Sequence, residues 1–304
     1  MCIRDRFIIK AISFVFLFVF IDFFSGLVFD TLKKNAKGGS TQNNYHIMKE
    51  CTDDIIILGS SRAIHHYMPT VIEDSTQMSC YNCGEEGNGS ILAAARLKMI
   101  LSRYNPKLVI YEVTPGYDYL MDISYTQYLR YLKPYYAEPN VKNIVDRFVD
   151  KNTRLTLRSN LYKENSASIA YLLDNITYRD NLKGFAPLHT TMKQGTTFKL
   201  DTTPPVVDLK KSILLEEMVQ ECRDLDIPFL FVVSPMYIPL ESCYYDEARR
   251  IATKYGVPFI SHIKEKGFCG NYLYFQDNSH MNEKGAHEYS KIFAHELKSF
   301  GWVK

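Results

Sequence analysis

Tryptophan is nearly absent from this chain, with one residue in 304, and neither sign of charge predominates. Lys and Arg number 36 against 34 Asp and Glu, interspersed, for a net charge of +2. That balance excludes the basic stripe that nucleic-acid binding requires, so no nucleic-acid partner is expected. No internal repeat, low-complexity tract or Gly-x-x-x-x-Gly-Lys phosphate loop occurs, which argues against solenoid, disordered and P-loop nucleotide-binding classes. Seven cysteines are present. Cys80 and Cys83 form a Cys-x-x-Cys with no second half-site and no thioredoxin context, so a disulfide or buried thiols are favoured over zinc or redox chemistry. The odd count leaves at least one cysteine unpaired within a monomer.

The composition, 46% hydrophobic and 23% charged, is that of a globular protein with an ample core. Its 22 Tyr and 18 Phe serve a core first, although aromatic rings also line sugar grooves.

Ala11 to Phe29 is an apolar run long enough to cross a bilayer. Asp22 interrupts it, at a cost of roughly 3 kcal/mol near a helix centre, but the Phe, Ile, Val and Leu residues around it each return about 0.3 to 0.6 kcal/mol. The span is expected to insert. Residues 1–30 therefore read as an N-terminal transmembrane anchor, without a small-x-small cleavage site. Basic residues are nearly balanced across it, Arg4, Arg6 and Lys10 before and Lys33, Lys34 and Lys37 after. Met1–Arg6 moreover looks like translated sequencing adapter, so its arginines count for little. A single N-terminal anchor before a large domain favours export of that domain, to the periplasm or the extracellular side.

Residues 31–52, with Gly38-Gly39-Ser40, read as a polar stalk, and the globular domain as 53–304. Ile55–Leu58, Met78–Tyr81, Leu108–Val113, Phe229–Val233 and Val257–Ile260 read as short buried strands. Ile91–Leu101, Leu209–Leu225, Asp246–Tyr255 and Glu283–Leu297 read as helices. Their alternation predicts a three-layer α/β/α fold around a parallel sheet, with ligands beyond the carboxyl ends of the strands. The rhythm fails over about 118–200, which reads as a helical insertion within one domain.

Ile55–Leu58 breaks at Gly59-Ser60-Ser61-Arg62. A serine on a sharp strand-to-loop turn is lifted clear of the sheet, and nearby backbone N–H groups can face a developing oxyanion. Ser61 is the candidate and Ser60 its neighbour and competitor. In Asp277-Asn278-Ser279-His280, an Asp three residues before a His on one loop can orient one imidazole nitrogen. The other nitrogen is then free to take a serine proton. His65, His66 and His287 are the alternatives, each better explained structurally. Asn82-Cys83-Gly84-Glu85-Glu86-Gly87-Asn88 follows a strand, and Gly87 has no side chain to keep its N–H from a substrate. Glu85 and Glu86 point apart as adjacent acids do and read as solvated.

Gly59-Ser60-Ser61-Arg62, Asn82 with Gly87, and Asp277-x-x-His280-x-Asn282-x-x-Gly285 resemble blocks I, II and V of the SGNH (GDSL-type) hydrolase superfamily. The resemblance implies a flavodoxin-like fold, Ser61 as nucleophile, His280 as general base and Asp277 as its partner. The N–H groups of Ser61 and Gly87 would be oxyanion donors, and Arg62, Asn82 and Asn88 substrate-binding candidates. It implies no metal or organic cofactor. Block III usually carries Gly-x-Asn-Asp, where this chain reads Thr114-Pro115-Gly116-Tyr117-Asp118 and lacks the Asn. Such divergence is similar to membrane-tethered members encoded with envelope polysaccharide genes, among them alginate O-acetylation proteins and the D-alanylation protein of teichoic acid synthesis. The expectation is a membrane-anchored serine esterase acting on acylated envelope or extracellular polysaccharide, with polysaccharide biosynthesis proteins as partners. The alternatives are an O-acyltransferase component and a catalytically weak glycan-binding or assembly protein.

Overall fold

A computed structural model describes residues 3–121, 127–198 and 204–301, in two compact units. One comprises Met1–Tyr45 with Leu129–Asp180, the other His46–Tyr128 with Asn181–Lys304. Of the expected insertion, residues 122–126 and 199–200 lie outside the described residues.

The first unit is built on α1 (Ile3–Lys34), a continuous helix of 32 residues whose Phe, Ile, Leu and Val side chains are largely exposed. Among the described residues it is the one helix long and apolar enough to cross a membrane. Asp22 is not left unpaired. Its carboxylate accepts hydrogen bonds from Ser159 Oγ at 2.6 Å and from the N–H groups of Asn160 and Leu161 at 3.0 Å each. Those donors open the short helix Asn160–Glu164, whose first-turn N–H groups need acceptors from outside the helix. Lys33 Nζ meets Glu164 at 2.7 Å in a buried pair. Asp174, on helix Ser168–Ile176, accepts the N–H of Thr41 at 3.2 Å through its side chain and that of Lys37 at 2.7 Å through its carbonyl.

These contacts revise two expectations. Residues 31–52 are not a free stalk: 31–34 continue α1, Gly39–Tyr45 is helical, and the remainder from His46 joins the other unit. Gly38 and Gly39 mimic a linker in sequence. Here they are required because Arg179 and Asp174 leave no room for a Cβ, and both glycines have positive φ. The insertion is likewise divided. Residues 129–180 pair with α1, whereas 118–121, 127–128 and 181–198 stay with the sheet.

In the second unit, β1 (Ile55–Gly59), β2 (Cys80–Asn82), β3 (Leu108–Glu112), β4 (Phe229–Val233) and β5 (Phe259–Ser261) form one sheet. Their order is β2-β1-β3-β4-β5 and every pairing is parallel. That is the flavodoxin-like order expected from the sequence. β1, β3 and β4 are buried throughout, as their unbroken apolar runs require of strands covered on both faces. Ile55, Ile57, Ile110 and Val232 join a cluster with Tyr289 and Phe293, while the alternate residues Tyr111, Phe229 and Phe231 stack their rings on the opposite face. α2 (Ser61–His66) and α3 (Pro69–Thr76) pack with the C-terminal helix, Glu283–Ser299. α4 (Ser90–Leu101), α5 (Leu209–Asp224) and α6 (Asp246–Tyr255) form the other layer, and Glu283–Ser299 is α7.

Gly59 closes β1 with φ +141°, and a Cβ there would lie 2.6 Å from the Glu112 carbonyl oxygen. Gly59→Ala is therefore expected to destabilise the fold by at least about 1–3 kcal/mol from backbone strain alone. Thermal unfolding of the variant beside wild type measures the loss.

Candidate active site

Because β1 ends at Gly59 and α2 begins at once, Ser61 occupies the first helical position, where its N–H has no partner within the helix. Ser60 precedes it without capping the helix through its side chain, and its buried Oγ has no hydrogen-bond partner. Between the two serines the structure selects Ser61. Its Oγ lies 2.7 Å from His280 Nε2, although 219 residues separate them.

The loop carrying His280 is shaped before the histidine is. Asp277 Oδ1 accepts the N–H groups of Ser279 at 2.8 Å and His280 at 2.9 Å. Asp277 Oδ2 lies 2.8 Å from His280 Nδ1. Burial by itself would raise the Asp277 pKa, but the His280 hydrogen bond and charge and these two N–H groups hold it down at about 2. The carboxylate therefore fixes the ring proton on Nδ1 and leaves the Nε2 lone pair for the Ser61 hydroxyl, an assignment made from the hydrogen-bond network. Asn282 caps α7 by accepting the Gly285 N–H at 3.0 Å, and Gly285 is needed because the Tyr274 carbonyl leaves no space for a Cβ. The last two members of the final motif thus position the loop.

Beneath the serine lies a buried polar network. Arg62 Nη2 meets Glu112 Oε1 at 2.8 Å and donates to the Val113 carbonyl. Tyr67 donates its hydroxyl to Glu112 Oε2, and Ser234 donates both its N–H and, at 2.8 Å, its hydroxyl to the same carboxylate. His66 Nε2 accepts the Met281 N–H at 2.9 Å, so its ring proton is on Nδ1 and points to Ser234 Oγ, 2.7 Å away. Burial, and then the Arg62 charge, push the His66 pKa well down and keep it neutral, as that acceptor role requires. His66 therefore ties the residue after His280 to the helix that carries Ser61.

Three expectations about this region are corrected. Arg62 is not available to substrate, because it is buried against Glu112. Asn82 is also buried, donating to the carbonyls of Ala63 at 2.7 Å and Tyr67 at 3.0 Å and accepting the Gly84 N–H at 3.0 Å. It locks α2 to the loop after β2. Glu85 is not solvated either, since it meets the buried Arg96 at 2.8 Å. His65 Nδ1 donates to the Ala186 carbonyl at 2.6 Å, and its ring stands edge-on to that of His280. His287 pairs with Glu288 on α7.

Glu85 to Asn88 form a turn closed by the Asn88 N–H to the Glu85 carbonyl at 3.2 Å, with Gly87 at its third position and φ +66°. That conformation favours glycine. Asn88 is buried, with Oδ1 unpartnered, and with Gly87, Gly89, Tyr117, Tyr128 and Lys211 it borders a small recess. Across it, Pro115–Asp118 is a short helical turn, and a Cβ at Gly89 would meet the Tyr117 backbone at 2.5 Å. Asp118 folds inward to accept the Tyr111 hydroxyl at 2.8 Å and the Thr114 N–H.

No protein-family model and no curated protein matches the chain. Among solved structures it is similar to a protein assigned to the G-D-S-L lipolytic family from Desulfitobacterium hafniense, at 8% identity over 80% of this chain and 98% of that one, with a TM-score of 0.40. A protein assigned as an acylhydrolase from Bacteroides fragilis is 9% identical over 87% and 97%, with a TM-score of 0.43. An acetyl xylan esterase is 12% identical over 81% and 98%, with a TM-score of 0.39. The strand order is flavodoxin-like, and the residues of the first and last motifs, Ser61 and His280, meet in the structure.

Glu112, Ser234 and Tyr67 were not singled out from sequence. The available signal was a lone carboxylate inside an otherwise apolar strand, Leu108-Val109-Ile110-Tyr111-Glu112-Val113, which demands a buried partner.

Burial raises the Asp118 pKa to about 7, against the Tyr111 and Thr114 hydrogen bonds that lower it. Between the ordinary value of 3.8 and about 7 the folded chain holds a proton that the unfolded chain has released, so stability falls as pH rises through that window. Asp118→Asn is expected to flatten this decline, read as unfolding midpoints across the same pH range.

Proposed function

We propose that this chain is a membrane-anchored serine ester hydrolase of the SGNH type, acting on an acylated envelope or extracellular polysaccharide. The observation that carries the chemistry is the 2.7 Å approach of His280 Nε2 to Ser61 Oγ, backed by Asp277 on the other ring nitrogen. Ser61 Oγ attacks the ester carbonyl as its proton passes to His280 Nε2, and ionised Asp277 stabilises the imidazolium that forms. The N–H groups of Ser61 and Gly87 are the oxyanion donors. With no Asn in the turn after β3, a third donor is not supplied there, and one such donor is typically worth about 100- to 1,000-fold in rate. His280 then protonates the departing sugar oxygen. The acyl-enzyme passes to water, or to a sugar hydroxyl where one outcompetes water, which is the acyltransferase outcome.

An acylated glycan is favoured because the recess beside Gly87 combines aromatic and polar walls, Tyr117, Tyr128, Asn88 and Lys211. The purified chain tested on aryl acetates and acetylated xylan should release acetate. Ser61→Ala and His280→Ala should each lower turnover about 10,000-fold or more, and Asp277→Asn about 10,000-fold. Labelling of Ser61 by a fluorophosphonate reports the nucleophile directly. Absence of any Ser61-dependent acyl release, with no fluorophosphonate labelling, would reject the serine hydrolase and favour a glycan-binding or assembly protein.

The anchor reading rests on the exposed apolar length of α1 and on a second apolar stripe in the same unit, Ile169, Leu172, Leu173 and Ile176 on helix Ser168–Ile176. Spacings of three and four residues place these on one helical face. The full chain is expected to stay with membranes through alkaline carbonate washing, with the sheet unit digestible by protease added outside intact spheroplasts. Release by the wash or protection from the protease overturns this assignment.

A further inference from the structure

Away from the serine site, the segment entering β1 carries a second cluster of reactive side chains. One ligand atom each from His46, Cys51 and Asp53 lies within 4.8 Å of the others. Cys51 Sγ is buried, 3.5 Å from Asp53 Oδ2. We propose that His46, Cys51 and Asp53 form a zinc site that pins the segment leading into β1.

Three features of the cluster fit a metal better than a chance meeting of polar groups. His46 Nε2 is buried with no hydrogen-bond partner, while Nδ1 faces Glu50 at 3.5 Å, the arrangement in which a carboxylate orients a ligating imidazole. A thiol, an imidazole and a carboxylate are donors suited to Zn²⁺, with the fourth tetrahedral position left for water. The loop is held in place beforehand, as Arg103 donates to the carbonyls of Met48 at 2.7 Å and Ile47 at 3.0 Å, and Tyr104 donates to the Asp53 carbonyl at 3.0 Å. Binding one Zn²⁺ releases the proton of the Cys51 thiol, and the ion exchanges no electrons.

The full chain in detergent, stripped with a chelator and dialysed against Zn²⁺, should retain one zinc per chain by elemental analysis. Co²⁺ in its place should give a thiolate-to-cobalt charge-transfer band with the intense visible absorption of a tetrahedral site. Cys51→Ser should abolish the charge-transfer band or weaken it sharply. His46→Ala, at the half-exposed rim of the cluster, should still fold and weaken metal binding by more than the roughly 10- to 100-fold that losing an outer hydrogen-bond partner costs. Absence of bound zinc in the wild-type chain, zinc retained equally by both variants, or a disulfide at Cys51 in peptides mapped without reduction would each overturn the assignment.

Discussion

The placement of Ser61 depends on a carboxylate that has no business in an apolar strand unless something neutralises it. Glu112 ends β3 fully buried, and Arg62, one residue after Ser61, supplies the opposite charge. Tyr67 and Ser234 bring hydrogen bonds from α2's far end and from the end of β4. Desolvating two charges costs several kcal/mol each, and their mutual attraction offsets this only when the remaining lone pairs are also met. Removing one partner of such a pair typically costs about 3–5 kcal/mol, because the other charge is left stranded. The arrangement therefore constrains geometry more than it adds stability. It sets α2, and with it Ser61, relative to the ends of β3 and β4.

From that anchor the rest of the site follows in sequence. His66, on the same helix as Ser61, reaches the backbone beside His280, so serine and histidine are registered through a shared element rather than through their own contact alone. Asp277 organises its loop through two backbone N–H groups before it orients the imidazole. The weak point is the turn after β3. There Asp118 points into the protein, toward Tyr111 and Thr114, and serves packing.

The unit built on α1 shows the opposite relation between sequence and structure. Its composition announced a membrane span, and Asp22 stood out as an unexplained cost. That cost is met by a helix N-terminus arriving from residues 159–161, which no local pattern in α1 could announce. The same holds for the apparent linker at Gly38-Gly39, where close approach of Arg179 and Asp174, not flexibility, accounts for the glycines.

Strands, helices and their alternation were readable from the chain because each is written in a local code, an unbroken apolar run, a cap or a turn residue. β1, β4, α5 and α6 lie within a residue of where that code places them. The contact of His280 with Asp277 was readable for a related reason, since an Asp three residues before a His on one loop is a fixed short spacing. What only the tertiary structure decided is which polar side chains face inward. Arg62, Asn82 and Glu85 looked like surface or substrate groups, yet each is buried against a partner at least eleven residues away in sequence. Burial of a charge is set by what packs over it. That information resides in contacts between distant segments, so the support beneath the serine emerged only when the sheet was assembled.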